Sequence, residues 1–259
     1  MFIANVTTSV VYNLPRMSSA NSHRIQLQPA FVLHHRPYRD TSRIVELFTR
    51  EHGRLTVFAR GVRGSKSGWA AALQSFQPLL VSWSGRGEAG QLTAAELVGE
   101  PQTLMSSRLM SGFYLNELLL KLLHNHDPHP DIYDVYSETV TALKSSADQL
   151  ITLRLFEKQL LVALGFGLSL DTEAGTSAEI QPDRCYRFVV ETGAMAVEAE
   201  ADASKGVYHG HALLALSRDD LSDPQHCQAA RYLLRAALDR VLDGRPLQSR
   251  VIMSDMKRY

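Results

Sequence analysis

Five short segments, 30–35, 42–49, 54–61, 78–84 and 90–97, are rich in Val, Leu, Ile, Phe and Thr and follow one another with little but turn residues between them. The separators are Arg36-Pro37, His52-Gly53, the stretch from Gly64 to Gly68, and Gly85-Arg86-Gly87, where proline and glycine interrupt an extended chain. Five strands in such quick succession are too few for an immunoglobulin-type sandwich. They match a small OB-fold barrel, whose curved face and connecting loops bind oligonucleotides. Gly61, Gly64 and Gly68 predict a mobile loop after the third strand.

From Pro101 the pattern turns helical. Leu109, Phe113, Asn116, Leu120 and Leu123 recur at four-three-four-three spacing, and Leu115, Leu118, Leu119 and Leu122 widen the apolar surface. That helix should be buried on several sides. Pro128 and Pro130 stop it, and Asp131 is placed to cap a second helix running to about Leu143. A third carries Leu153, Phe156, Leu160 and Leu164 on one stripe and ends at Gly165, suited to a left-handed cap. Residues 171–204 lack helical period and read as a small irregular insert with short strands at 186–190 and 194–197. Asp223 and Pro224 then open a helix with Ala230, Leu233, Leu234, Ala237, Leu238 and Val241 on one stripe, closed by Gly244. This stripe needs an apolar partner, and 104–164 is the only large one on offer. The expected class is α+β: a flexible extension at 1–27, an OB-fold barrel at 28–100, and a helical domain at 101–259 interrupted by the insert at 171–204.

No apolar run approaches the roughly 20 residues that span a bilayer; the longest, 115–123, is broken by Asn116, Glu117 and Lys121. Cys185 and Cys227 are the only cysteines, which leaves neither a disulfide framework nor a four-cysteine zinc site and fits a reducing cytoplasm. The first 28 residues contain no acid but also no continuous apolar core of a secretory signal, because Asn5, Thr7, Thr8 and Ser9 interrupt it.

The formal net charge is zero, but it is zoned. Residues 36–66 hold Arg36, Arg39, Arg43, Arg50, Arg54, Arg60, Arg63 and Lys66 against Asp40, Glu46 and Glu51. Residues 172–203 hold seven acids against Arg184 and Arg187, and 231–259 are again basic. Cations spread over neighbouring strands make the broad positive surface that neutralises a phosphate backbone. The candidate DNA contacts are Arg36, Arg39, Arg43, Arg54, Arg60, Arg63, Lys66 and Arg86, with Trp69 either a stacking platform or a barrel plug.

No catalytic constellation is legible, and no cofactor is expected. The run 61–68 has the composition of a phosphate-binding loop without its Gly-x-x-x-x-Gly-Lys-Ser/Thr spacing. There is no Gly-x-Ser-x-Gly elbow, and Glu88 beside Arg86 reads as a turn brace. His124, His126 and His129 straddle a helix end and two prolines, and His209, His211, His226 and Cys227 show no metal-ligand spacing, so neither group is read as a metal site.

A set of fragments carries a family resemblance: 30–33, Arg36-Pro37-Tyr38, Gly53-Arg54, Gly61-Val62-Arg63, Phe76-Gln77-Pro78-Leu79, Gly85-Arg86-Gly87-Glu88, Gly112-Phe113-Tyr114-Leu115-Asn116-Glu117-Leu118, Leu164-Gly165-Phe166-Gly167, and Gly244-Arg245-Pro246-Leu247-Gln248-Ser249-Arg250. In this order, from about residue 26 to the end, the chain resembles RecO, the bacterial recombination mediator family. The resemblance implies a non-hydrolytic DNA repair protein that binds single- and double-stranded DNA. Such a protein anneals strands held by single-stranded-DNA-binding protein (SSB) and, with RecR, assists RecA loading in the cytoplasm at the nucleoid. Many members hold zinc on four cysteines where this chain has only Cys185, which places it with a zinc-free branch. The resemblance also implies a pocket for the SSB C-terminal tail, with Arg154 for the terminal carboxylate and Leu155 and Leu160 for the ring. An adaptor that binds only protein, or an OB-fold that binds RNA, fits the same residues.

Overall fold

The computed structural model describes residues 24–62, 72–85, 89–145 and 147–256. Arg63, Lys66, Trp69, Arg86 and Glu88, with the loop expected to be mobile and residues 1–23 of the expected extension, lie outside the described residues.

Strands β1 (Arg24–Tyr38), β2 (Ser42–Thr49), β3 (Gly53–Ala59), β4 (Leu79–Ser84) and β5 (Ala89–Leu97) close into a barrel in the order β1-β2-β3-β5-β4. All pairings are antiparallel except β3 with β5. Alternation puts Val45 and Leu47 of β2, and Leu55, Val57 and Ala59 of β3, into an interior shared with Ala30, Val32, Val81 and Leu92. Closure removes the open edges that five short strands would otherwise leave. β1 starts earlier than the expected barrel boundary: Arg24 pairs with Ser84 and Ile25 with Trp83, and Ile25 packs on the barrel core. Residues 24–27 therefore belong to the barrel and not to an extension.

Helices α1 (Ser106–Leu122), α2 (Pro130–Lys144) and α3 (Gln149–Ala163) follow, and α5 (Pro224–Leu242) returns to pack on α3. Its stripe of Ala230, Leu233, Leu234, Ala237 and Leu238 is buried in the same core cluster as residues of 115–161. Asp223 accepts from the Gln225 amide at the start of α5. Three details differ from the sequence expectation. α2 starts at Pro130, with His129 in the cap position and Asp131 in the first turn, where a carboxylate favours the positive helix end. The buried face of α1 is Tyr114, Leu115, Leu118, Leu119 and Leu122, while Leu109 and Phe113 stay 36% and 43% exposed. The acidic insert is not irregular: β6 (Cys185–Val189), β7 (Gly193–Val197) and β8 (Val207–His209) form an antiparallel sheet in the order β7-β6-β8, whose third strand lies past residue 204. Between β8 and α5 lies α4 (Gly210–Ser217), and α6 (Gln248–Met256) ends the described chain.

The barrel and the helical domain share a buried seam. The register between β1 and β2 shifts at Leu33, which a bulge leaves outside the ladder; its carbonyl instead accepts from the Asn116 carboxamide at 2.8 Å. Asn116 in turn accepts from the Tyr136 hydroxyl at 2.5 Å, and all three groups are buried. Phe31 and Phe48, on the outer side of the barrel, pack on Tyr133 and Tyr136 with ring centroids 5.0–6.2 Å apart. At the margin Arg50 makes a two-point pair with Asp134, at 2.9 and 2.8 Å, which holds the Asp134 carboxyl below its ordinary range. Gly53 has φ +64°, and a Cβ there would lie 2.1 Å from the Asp127 carbonyl oxygen, so only glycine lets the barrel approach the α1–α2 turn this closely.

Tyr136→Phe removes the donor and leaves the Asn116 oxygen buried without it. The expected cost is about 1–3 kcal/mol, read as a lower urea midpoint with an unchanged slope; a loss under about 0.5 kcal/mol would show that the amide is satisfied otherwise.

Candidate nucleic-acid interface

The β1–β2 hairpin turn and the end of β3 form one end of the barrel, and four of the expected cationic residues meet there. Across the sheet Arg36 stands opposite Ile44, Pro37 opposite Arg43, and Arg43 opposite Ala59, so Arg43 is flanked by strand positions adjoining Arg36 and Arg60. Arg36, Arg39 and Arg60 are exposed. Arg43 shares the inward phase of Val45 and Leu47 but sits at the rim, half-buried, with Nη1 lacking a hydrogen-bond partner among the described residues. Next to it His35 is pushed below the ordinary imidazole range by burial and by the Arg43 charge. Among the described residues neither Arg36 nor Arg60 has an ion-pair partner. Arg39, at φ 52° in the turn, lays its guanidinium 5.2 Å from the Tyr38 ring centroid.

The outward row on this end is apolar between the cations. Phe58 stands opposite Ile44 and Tyr38 opposite Ser42, and Arg60 continues the outward phase of Phe58 one step past β3. The Tyr38 and Phe58 rings lie 5.3 Å apart. Sequence reasoning missed this aromatic pair because it searched the loop at Trp69; the period-two alternation of β1 and β3 was the signal that could have found it.

Two of the sequence cations do other work. Arg54 was expected on the DNA face, but its guanidinium is turned onto the end of α1: it donates to the Leu120 and Leu123 carbonyls and, at 2.9 Å, to the Asn125 side chain. Those carbonyls are the acceptors that a helix end leaves unsatisfied, and a cation suits the negative end of the helix dipole. Arg54 is thus a strut between barrel and helices. Arg50, counted in the charge excess, is likewise committed to Asp134 and Glu51.

The expected tail-binding residues on α3 are buried or half-buried. Arg154 is buried to 9% exposure and donates to Glu157 at 2.8 Å; Glu157, at 1% exposure, also accepts from the Tyr114 hydroxyl at 2.6 Å. Burial pushes the Glu157 carboxyl up despite the Arg154 charge. Arg154 Nε and Glu157 Oε2 have no partner among the described residues. Leu155 is half-buried against the core, whereas Leu160 is fully buried and belongs to that core rather than to any surface groove. The reason is helical phase: Leu160 shares the buried stripe of Leu153 and Phe156, whose ring lies 6.4 Å from that of Tyr136 on α2.

The histidines do come together, though not with Cys227. His209 lies 3.5 Å from the Cys185 sulfur and stacks on His211, whose Nδ1 is 2.9 Å from His226 Nε2. Cys227 sits apart, on α5 beside the Arg154–Glu157 pair, where burial pushes its thiol up. Among the described residues no three His, Cys, Asp or Glu side chains are grouped to hold a metal ion, and no helix is long and apolar enough to cross a membrane.

Known proteins divide the chain at the same place as the barrel and the helices. Residues 24–101 match the family described as Recombination protein O N terminal, and 106–250 match Recombination protein O C terminal. A protein of Coxiella burnetii named DNA repair protein RecO is 41% identical over 231 residues, covering 89% of this chain and 98% of its own. Proteins of the same name from Nitrosococcus oceani and Alkalilimnicola ehrlichii are 43% and 44% identical over 235 and 237 residues, each covering 91% of this chain and, respectively, 95% and 93% of their own. With a five-stranded barrel ahead of a helical domain and these matches over both parts, the chain belongs to the RecO family of DNA repair proteins.

Proposed function

We propose that this chain is a DNA-binding mediator that makes and breaks no covalent bond: it holds single- and double-stranded DNA on the cationic end of its barrel and anneals complementary strands. The observation that carries this is the convergence of Arg36, Arg39, Arg43 and Arg60 at one rim, with Arg36 and Arg60 lacking ion-pair partners among the described residues. Arg63, Lys66 and Arg86 extend the same set by sequence. Two polyanions repel, and cations that neutralise phosphates on both strands release condensed counterions and lower that repulsion. In this reading the protein works in the cytoplasm at the nucleoid, receives DNA from SSB, and with RecR assists the loading of RecA.

The SSB tail, an acidic peptide with a terminal carboxylate, is proposed to reach Arg154, with Leu155 contributing apolar contact and Leu160 supporting the helix from beneath. With one Nη group held by Glu157, the charge that remains for the tail carboxylate is that of the other Nη group of this 9% exposed residue.

Raising salt from about 50 to 200 mM should lower oligonucleotide affinity by more than about tenfold, as expected for roughly four phosphate contacts; a change below about threefold in a fluorescent titration would refute the surface, and an adaptor that binds only protein would give none. Arg36→Ala combined with Arg60→Ala should flatten the logarithmic salt slope by roughly 1.4–1.8. Arg54→Ala should instead leave DNA affinity within about twofold and lower unfolding stability by about 1–2 kcal/mol, since it strips donors from the end of α1. Arg154→Ala should weaken binding of an SSB-tail peptide by at least about tenfold, measured by fluorescence anisotropy, while DNA affinity is unchanged; equal loss of both would overturn the division into two surfaces.

A further inference from the structure

We propose that Tyr38 and Phe58 form a stacking platform for unpaired bases, so that the barrel end distinguishes single-stranded from duplex DNA; this rests on the reading that the rim binds DNA and adds a second mode of contact to it. Tyr38 is on β1 and Phe58 on β3, with β2 between them. Strands two apart in a sheet are separated by roughly 9–10 Å, yet the ring centroids are 5.3 Å apart, at an interplanar angle of 53°. Both side chains therefore lean over β2 towards one another, above the small Ser42 and beside Ile44, and each keeps part of its surface in solvent. Arg39 approaches Tyr38 at cation–π distance, and Arg36 and Arg60 stand on the strand positions that border the pair.

This placement differs from the other outward aromatics of the barrel. Phe31 and Phe48 are buried against Tyr133 and Tyr136, so their apolar surface is accounted for by the helical domain. Tyr38 and Phe58 are half-buried rather than buried, and Arg36, Arg39 and Arg60 border them. An aromatic face interleaved with guanidinium groups suits a strand whose phosphates meet the arginines and whose bases meet the rings. The stacking is sequence-tolerant because every base has a π-face. In a duplex those faces are already stacked on one another, so only the phosphate contacts remain available and the platform adds nothing.

The test replaces both rings by leucine, Tyr38→Leu with Phe58→Leu, which keeps apolar bulk over β2 while removing the π-faces. Affinities for a single-stranded oligonucleotide and for its duplex are measured at one salt concentration, together with 2-aminopurine emission from a base placed in the single strand. The expected result is a single-strand affinity lower by roughly tenfold, a duplex affinity within about twofold, and loss of the emission change seen with the parent protein. Equal loss on both ligands, or no loss on either, overturns the platform while the rim remains a phosphate-binding surface. Failure of the parent protein to bind either oligonucleotide sinks the DNA reading itself, and the platform with it. As a check on folding, Tyr38→Trp keeps a ring face and should hold single-strand affinity within about threefold; a loss as large as that of the leucine variant also overturns the platform.

Discussion

The carboxamide of Asn116 is the contact on which the placement of both domains depends. A bulge in β1 leaves the Leu33 carbonyl outside the strand ladder, and a buried carbonyl without a donor is costly. Asn116 supplies the donor from α1 and spends its own oxygen on Tyr136 of α2, so one side chain ties the barrel to two helices. The aromatic packing of Phe31 and Phe48 against Tyr133 and Tyr136 surrounds this polar link and keeps water from it. Beyond that covered part, Arg36, Arg39 and Arg60 are exposed at the end formed by the β1–β2 turn and the close of β3.

The arginines sort themselves by the same geometry. A guanidinium carries five donors and no acceptor, so it serves equally well as a helix cap, an ion-pair partner or a phosphate ligand. Where the strands run beneath the helical domain, Arg50 and Arg54 find carboxylate and carbonyl acceptors there and are consumed. At the other end Arg36 and Arg60 have no ion-pair partner among the described residues. The charge excess visible in the sequence is therefore one quantity with two destinations, and distance from the seam decides which.

Much of the fold was legible because the local rules agreed with the tertiary outcome. β2 falls on the expected residues 42–49, and α5 opens on Asp223 and Pro224 as capping chemistry dictates. α1 misled because its apolar surface is nearly continuous: with Leu at 115, 118, 119, 120, 122 and 123, periodicity could not say which face turns inward. The packing of Tyr114, Leu115 and Leu118 decides it, and Leu109 and Phe113 stay partly outside. The cationic end was legible as composition, but the loss of Arg54 from it was not, since the acceptors lie some seventy residues away in sequence and meet it only through the fold. The β-sheet of the insert was half-seen for the same reason, its third strand arriving from beyond the acidic run.

Two fragments of the family resemblance touch one another. Glu117, in Tyr-Leu-Asn-Glu-Leu, accepts from the Gln248 and Ser249 amides and from the Ser249 hydroxyl, which anchors the first turn of α6 and holds the Glu117 carboxyl below its ordinary range. Arg250, from the same late fragment, donates to Asp239 and, at 3.4 Å, to Tyr114, which itself donates to Glu157 beside Arg154. Helix α6 is thus wired through α1 into the polar pair on α3. Glu157 holds Arg154 by one Nη group and leaves its Nε without a partner among the described residues. The polar pair on α3 and the docking of α6 are then parts of one hydrogen-bonded network rather than separate features of the helical domain.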